Sequence, residues 1–236
     1  MHDAFSVAVA RMEREDVPPA LFSSSFVELF PVSGATVSTV GNPLGSETVS
    51  ATDDVAAHID ELQFDLGEGP CWDAVRTADP VVMPDFSGQG PQRWPRFAEA
   101  ALAQSVTSIF AFPLSVGTLR LGAVDLYSVA SPVTLTSDQC RQAIALSNVI
   151  GRRLLTHVLR DVTNTVDVPE GPFSRRALHQ ATGMVLAQLD IAADDALLVI
   201  QAHAFARGVN MMEVADDIVR KHLSFVRVDG RIESRP

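Results

Sequence analysis

The sequence predicts an α+β chain of two modules: an N-terminal antiparallel sheet flanked by helices, and a C-terminal all-α module of three helices. Three observations predict it. The first part of the 236-residue chain mixes helical periods with short β-branched runs bounded by turn signals, whereas the last part is helical in period throughout. Between them, Thr163 to Phe173 holds Pro169, Gly171 and Pro172 and almost no apolar periodicity, as a linker does. Charge divides at the same place: residues 1–170 carry 21 acidic and 10 basic side chains, residues 171–236 eight of each. With 47% hydrophobic and 20% charged residues and two cysteines, the composition excludes a disordered tail, a collagen-like fibre and a disulfide scaffold. The whole-chain charge of -11 argues against a polyanionic partner, because phosphate binding needs a basic footprint. Taken by module, the C-terminal part is neutral.

Asp16-Val17-Pro18-Pro19 breaks the chain after a short N-terminal segment, and Leu21 to Phe30 reads as a helix carrying Leu21, Phe22, Phe26, Leu29 and Phe30. Ala35 to Val40 and Glu47 to Ala51 alternate β-branched and polar residues around Gly41-Asn42-Pro43-Leu44-Gly45, a strand pair joined by a turn. Thr52-Asp53-Asp54 caps a helix running through Val55, Ile59 and Leu62. A tight Gly67-Glu68-Gly69-Pro70 loop precedes a short helix over Cys71 to Arg76; a strand over Pro80 to Met83 and a helix over Trp94 to Gln104 follow. Ser108 to Leu114 and Thr118 to Ser128, rich in β-branched and aromatic residues and split by Ser115-Val116-Gly117, form the central hairpin of the sheet. The helix from Ser137 to about Asp161 exceeds the ~11-residue average, which suits packing on a second subunit. Three helices close the chain, over Ser174 to Leu189, Asp194 to Arg207 and Met211 to Leu223. Sixty residues of small helices bury little on their own, which also favours a dimer.

No phosphate-binding G-x-x-x-x-G-K-[ST] run exists, and Leu66 to Trp72 lacks the third glycine and the preceding strand of a dinucleotide fingerprint. The six histidines have no zinc spacing, two isolated cysteines make no metal cluster, and no nucleophile elbow is present. The expectation is a protein that is not an enzyme and has no metal or cofactor. The N-terminus lacks a basic segment followed by an apolar run, and no apolar stretch approaches the ~20 residues of a membrane helix. A cytoplasmic protein is expected. Cys71 follows Pro70 at a helix N-terminus, where the dipole favours a thiolate, although a small buried residue beside Trp72 accounts for it as well. Trp72, Trp94 and Phe97 are candidates to line a ligand pocket with Cys71; core packing is the other reading.

Leu62 to Thr77 (LQFDLGEGPCWDAVRT), Pro80 to Asp85, Arg93-Trp94-Pro95-Arg96-Phe97 and Ser108 to Tyr127 resemble a GAF domain of the kind found in actinobacterial signalling proteins, covering residues 20–161. Residues 174–225 resemble an ANTAR domain through Ala181-Thr182-Gly183-Met184-Val185-Leu186, Asp195-Ala196, His203-Ala204, Val214-Ala215 and Ile218, with residues 162–173 as the linker. The resemblance implies a small-molecule-sensing or dimerising sheet module. It also implies a three-helix module that binds paired hairpin loops in nascent RNA and promotes transcription antitermination as a homodimer. Gln201 and Gly208-Val209-Asn210 depart from the pattern, which often places basic or polar residues there.

The candidate RNA-binding residues are Arg175, Arg176, His179, Ala181, Thr182, Gly183, His203 and Arg207. Small side chains at Ala181 and Gly183 let a base approach the helix, or let helices pack closely. An interior glycine costs about 1 kcal/mol of helix stability relative to alanine, so some gain must offset Gly183. Arg175 and Arg176 sit where the helix dipole disfavours cations, which points to an external anion such as RNA phosphate. The expected function is a signal-responsive antitermination regulator whose partners are RNA, a second copy and an unidentified small-molecule ligand. The alternative is a dimeric scaffold without RNA binding.

Overall fold

The computed structural model describes residues 2–41, 45–161, 175–228 and 230–235. The chain forms two compact units, Met1–Phe173 and Ser174–Pro236. The linker expected over 162–173 and the centre of the turn at Asn42-Pro43-Leu44 lie outside the described residues.

The first unit opens with helix α1 (His2–Glu13), a single 3-10 turn (Pro19–Leu21) and a short helix α2 (Ser24–Leu29). The helix read over Leu21 to Phe30 is therefore shorter than expected. Pro31 excludes the helical region for the residue before it, and Phe30 is extended at φ -119°, ψ 150°. Strands β1 (Gly34–Thr39) and β2 (Glu47–Ala51) pair antiparallel, with Thr36 opposite Ala51. Helices α3 (Asp54–Leu66) and α4 (Pro70–Thr77) follow, then β3 (Val81–Met83), α5 (Phe86–Arg93) and α6 (Pro95–Ala103). The long hairpin β4 (Val106–Val116) and β5 (Leu119–Val129) leads into α7 (Ser137–Asp161). The sheet order is β2-β1-β5-β4-β3, antiparallel at each pairing.

Alternation along the central strands sends side chains to two cores. Val37, Phe110, Phe112, Val124 and Leu126 pack with Phe22, Phe26, Leu146 and Ile150, under α2 and α7. Ile109, Ala111 and Tyr127 point the other way, against Ile59, Ala74, Phe86, Phe97 and Ala101 of α3 to α6. Gly122 sits where β5 meets β1 at φ +155°; a Cβ there would lie 1.9 Å from the Ser38 carbonyl oxygen, so only glycine permits this approach. Arg153 of α7 ties down the N-terminal segment. Its guanidinium donates to the carbonyls of Met12 at 2.9 Å and of Glu15 and Val17 at 3.3 Å, and lies 5.8 Å from the Phe22 ring centroid.

The second unit contains α8 (Arg176–Leu189), α9 (Ala193–Arg207) and α10 (Met211–Val219). Leu178, Ala181 and Val185 of α8 meet Ala196, Ile200 and Ala204 of α9 and Val214, Ala215 and Ile218 of α10. Gly208 ends α9 in the left-handed conformation, and the Asn210 side chain caps α10 by accepting from the Glu213 N–H at 2.7 Å. The third helix, read to Leu223, stops at Val219. Lys221 takes a left-handed φ of +62°, while His222 and Leu223 return their N–H groups to the Asp217 carbonyl. Two strands then follow that helical periodicity does not signal, β6 (Ser224–Val228) and β7 (Arg231–Arg235), paired antiparallel with Phe225 opposite Ser234.

Candidate functional site

Helix α8 divides its candidate residues between inside and outside. Arg176, His179 and Gly183 are exposed, and their i, i+3, i+7 spacing sets them on one face. A Cβ added at Gly183 would meet nothing within 4 Å among the described residues, so none of them requires glycine there. Ala181 is fully buried in the helical core, which corrects its expected place on the RNA-facing surface: its small size serves packing. Thr182 is half-buried and its hydroxyl donates back to the Leu178 carbonyl at 2.7 Å, leaving the oxygen as an acceptor. Arg175 is likewise buried, at 5% exposure, which removes it from an exposed phosphate-binding face.

His203 and Arg207 lie one turn apart on α9. The His203 ring stands edge-on to Phe225 with centroids 5.3 Å apart. Burial, reinforced by the charge of Arg207 and opposed by Asp217, lowers its pKa, so at neutral pH the imidazole is uncharged and offers hydrogen bonds. Arg207 is bound to Asp217 at 3.0 Å. The structure thus gathers Arg176, His179 and Gly183 on α8 and sets His203 with Arg207 beside α10 and β6. Sequence reasoning passed over Leu198 and Phe205, each 59% exposed and seven residues apart on the outside of α9. Their signal was an excess of apolar residues beyond what one buried stripe needs.

In the first unit, Gly67, Glu68, Gly69, Trp72, Asp73, Arg76, Arg93 and Trp94 line a cleft of about 390 Å³. The two tryptophans named from sequence belong to it. Cys71 and Phe97 do not: Cys71 is fully buried with its N–H donated to Gln63 Oε1 at 2.8 Å, and Phe97 packs edge-on to Phe86 at 5.8 Å. Asp73 organises one wall. Its carboxylate accepts from Arg76 at 2.6 Å, Arg93 Nε at 2.9 Å and Trp94 Nε1 at 3.2 Å, and the Arg93 guanidinium stacks 4.7 Å from the Trp94 centroid. Glu68 is committed elsewhere, accepting the Arg96 and Phe97 N–H groups that open α6. The remaining guanidinium donors and the Trp72 ring suit a small, planar, polar ligand.

Gln63 connects this cleft to the sheet. It accepts the Cys71 N–H through Oε1 and donates through Nε2 to Asp125 of β5 at 2.7 Å, and its carbonyl takes the Trp72 indole N–H at 2.7 Å. Gly69, at φ +141°, leaves room for this amide: a Cβ there would lie 2.6 Å from Gln63 Oε1. Asp60 completes the polar layer, accepting from Ser38 at 2.7 Å and Thr48 at 2.5 Å. Burial, with the nearby Asp60 charge, pushes the Asp125 pKa up to about 8 against the opposing bond from Gln63.

Residues 23–154, more than half of the chain, match the family model for the GAF domain. The chain belongs to the GAF domain family. Residues 173–219 match the model for the ANTAR domain. GAF domains are signal-sensing modules and ANTAR domains are RNA-binding antitermination modules. The fold of the GAF unit is shared with the GAF domain of an Acinetobacter phosphoenolpyruvate-protein phosphotransferase, at 10% identity and a TM-score of 0.52 over 71% of this chain and 96% of that one. It is shared as well with the chromophore-binding domain of an unusual bacteriophytochrome from R. palustris, at 10% identity and a TM-score of 0.50 over 69% of this chain and 62% of that one. No curated protein matches the chain. Among the described residues, no three His, Cys, Asp or Glu side chains come together as a metal site, and no helix is long and apolar enough to cross a membrane.

Proposed function

We propose that the chain is a cytoplasmic, non-catalytic regulator of transcription antitermination. Its ANTAR-matching helices bind paired RNA hairpin loops, and its GAF unit binds a small ligand or holds two copies of the chain together. One observation carries the RNA reading: the outer face of α8, where Gly183 leaves open space one turn beyond exposed His179 and two turns beyond exposed Arg176. The glycine costs helix stability and, among the described residues, no element packs against it, so a partner outside the unit gives it a use. RNA loops present unstacked bases that approach such a face closely, with nearby donors for their edges.

The test is titration of the purified chain with a labelled RNA of two tandem hairpins at low salt. Wild type is expected to bind, and Gly183→Leu to remain folded by circular dichroism while losing at least tenfold in affinity. Unchanged affinity in that variant removes the α8 face from the site, and no binding by wild type ends the regulator reading. The scaffold alternative draws on Leu159 of α7, 61% exposed near the end of a 25-residue helix. Sedimentation of the chain without RNA tests it: a dimer that binds no RNA favours the scaffold.

A further inference from the structure

The positive charge of the second unit is not on the helices that match the ANTAR model. Residues 173–219 hold three basic side chains, Arg175, Arg176 and Arg207, against six acidic ones; residues 220–235 hold five basic and two acidic. Of the three on the helices, Arg175 is buried and Arg207 is bound to Asp217. A polyanion therefore meets a net negative helical surface unless the segment that follows contributes. That segment is the β6–β7 hairpin, which lies beyond the matched residues.

The hairpin is fixed on the helices and open to solvent at its rim. Phe225 is buried, its ring meets His203 edge-on, and its N–H donates to Gln188 Oε1 of α8 at 2.8 Å. Every residue of β7 is exposed. The register pairs Val226 with Glu233 and Val228 with Arg231, so alternation sets Arg231, Glu233 and Arg235 on the face opposite Phe225. Arg231 and Arg235 stand about 13 Å apart along the strand. Arg227, also exposed, flanks the other face. Among the described residues, no carboxylate lies within ion-pair distance of Arg227, Arg231 or Arg235. The exposed strand presents charge rather than an apolar stripe, the footprint of an electrostatic contact.

We infer that the β6–β7 hairpin is a phosphodiester-binding element, in which Arg227, Arg231 and Arg235 grip the RNA backbone while the α8 face and His203 meet the bases. This rests on the RNA-binding reading above. Phosphate contacts of this kind supply affinity without sequence preference, through release of condensed counterions. Through Phe225, the hairpin is anchored against His203, so it stands next to a residue already placed among the candidates.

The experiment measures anisotropy of the labelled two-hairpin RNA with the full-length chain between 50 and 300 mM salt. The variants are Arg227→Gln, Arg231→Gln and Arg235→Gln combined, and Glu233→Gln alone. The triple variant is expected to bind at least tenfold more weakly near 100 mM, with its log–log salt slope reduced by about 2. Removing the carboxylate at Glu233 is expected to tighten binding two- to threefold. Wild-type affinity and slope in the triple variant overturn the hairpin's role and leave RNA binding by the helices standing. Tighter binding by the triple variant overturns it too. No binding by wild type overturns both readings at once.

Discussion

Burial, with the nearby Asp60 charge, pushes the Asp125 pKa up to about 8, far above its value in an unfolded chain. Because the folded state binds this proton more tightly, the stability it contributes is full below about pH 4 and is lost as pH rises toward 8. Asp125→Asn is expected to flatten that dependence and, at pH 8, to be more stable than wild type by on the order of a few kcal/mol, melting correspondingly higher. Thermal melts of both proteins from pH 4 to 8.5 measure it, and parallel profiles would show that Asp125 is not the titrating group. Single residues also show where sequence reasoning reached its limit. Ala181 and Gly183 belong to one motif, yet two positions on a helix stand about 200° apart. One is therefore in the core and the other in open space, and only knowledge of which face packs inward separates them. Cys71 and Trp72 divide in the same way, the cysteine fully buried and the tryptophan lining the cleft.

At the scale of elements, the sheet and most helices were legible because their periods are strong: the Asp53 cap accepts the Ala56 N–H as the Thr52-Asp53-Asp54 signal requires, at 2.9 Å. Helix α5 was not legible, since Gly88, Gly90 and Pro91 within eight residues read as loop. Helix α1 was missed because its cohesion comes from a distant side chain. Arg153 satisfies the Met12 carbonyl in its last turn and those of Glu15 and Val17 just beyond it, from 136 to 141 residues away. Arg153→Ala is expected to cost about 1–3 kcal/mol and to speed amide exchange in α1 while strands β4 and β5 keep their protection. Hydrogen exchange with mass readout tests this, and uniform acceleration across the unit would count against a local anchor. The hairpin escaped notice for a different reason: Met211 to Leu223 continued as one helical period, and only Lys221 in a left-handed conformation marks the break.

For the molecule as a whole, charge is distributed by unit, and only that distribution reconciles a net of -11 with an RNA-binding reading. With about three phosphate contacts available, affinity is expected to fall by tens of fold between 50 and 200 mM salt; a flat titration would mean no backbone contact. The split core agrees with the separation of charge, each unit having its own buried clusters. The left-handed residue that ends α10 has one more consequence. Lys221 is the only lysine in the chain and is exposed. A single side-chain amine therefore stands at the base of the arginine hairpin, so an amine-directed fluorophore or acetyl group would modify the protein at this one side chain. The chain comes with its own reporter position, three residues from the strand whose contact with RNA is in question.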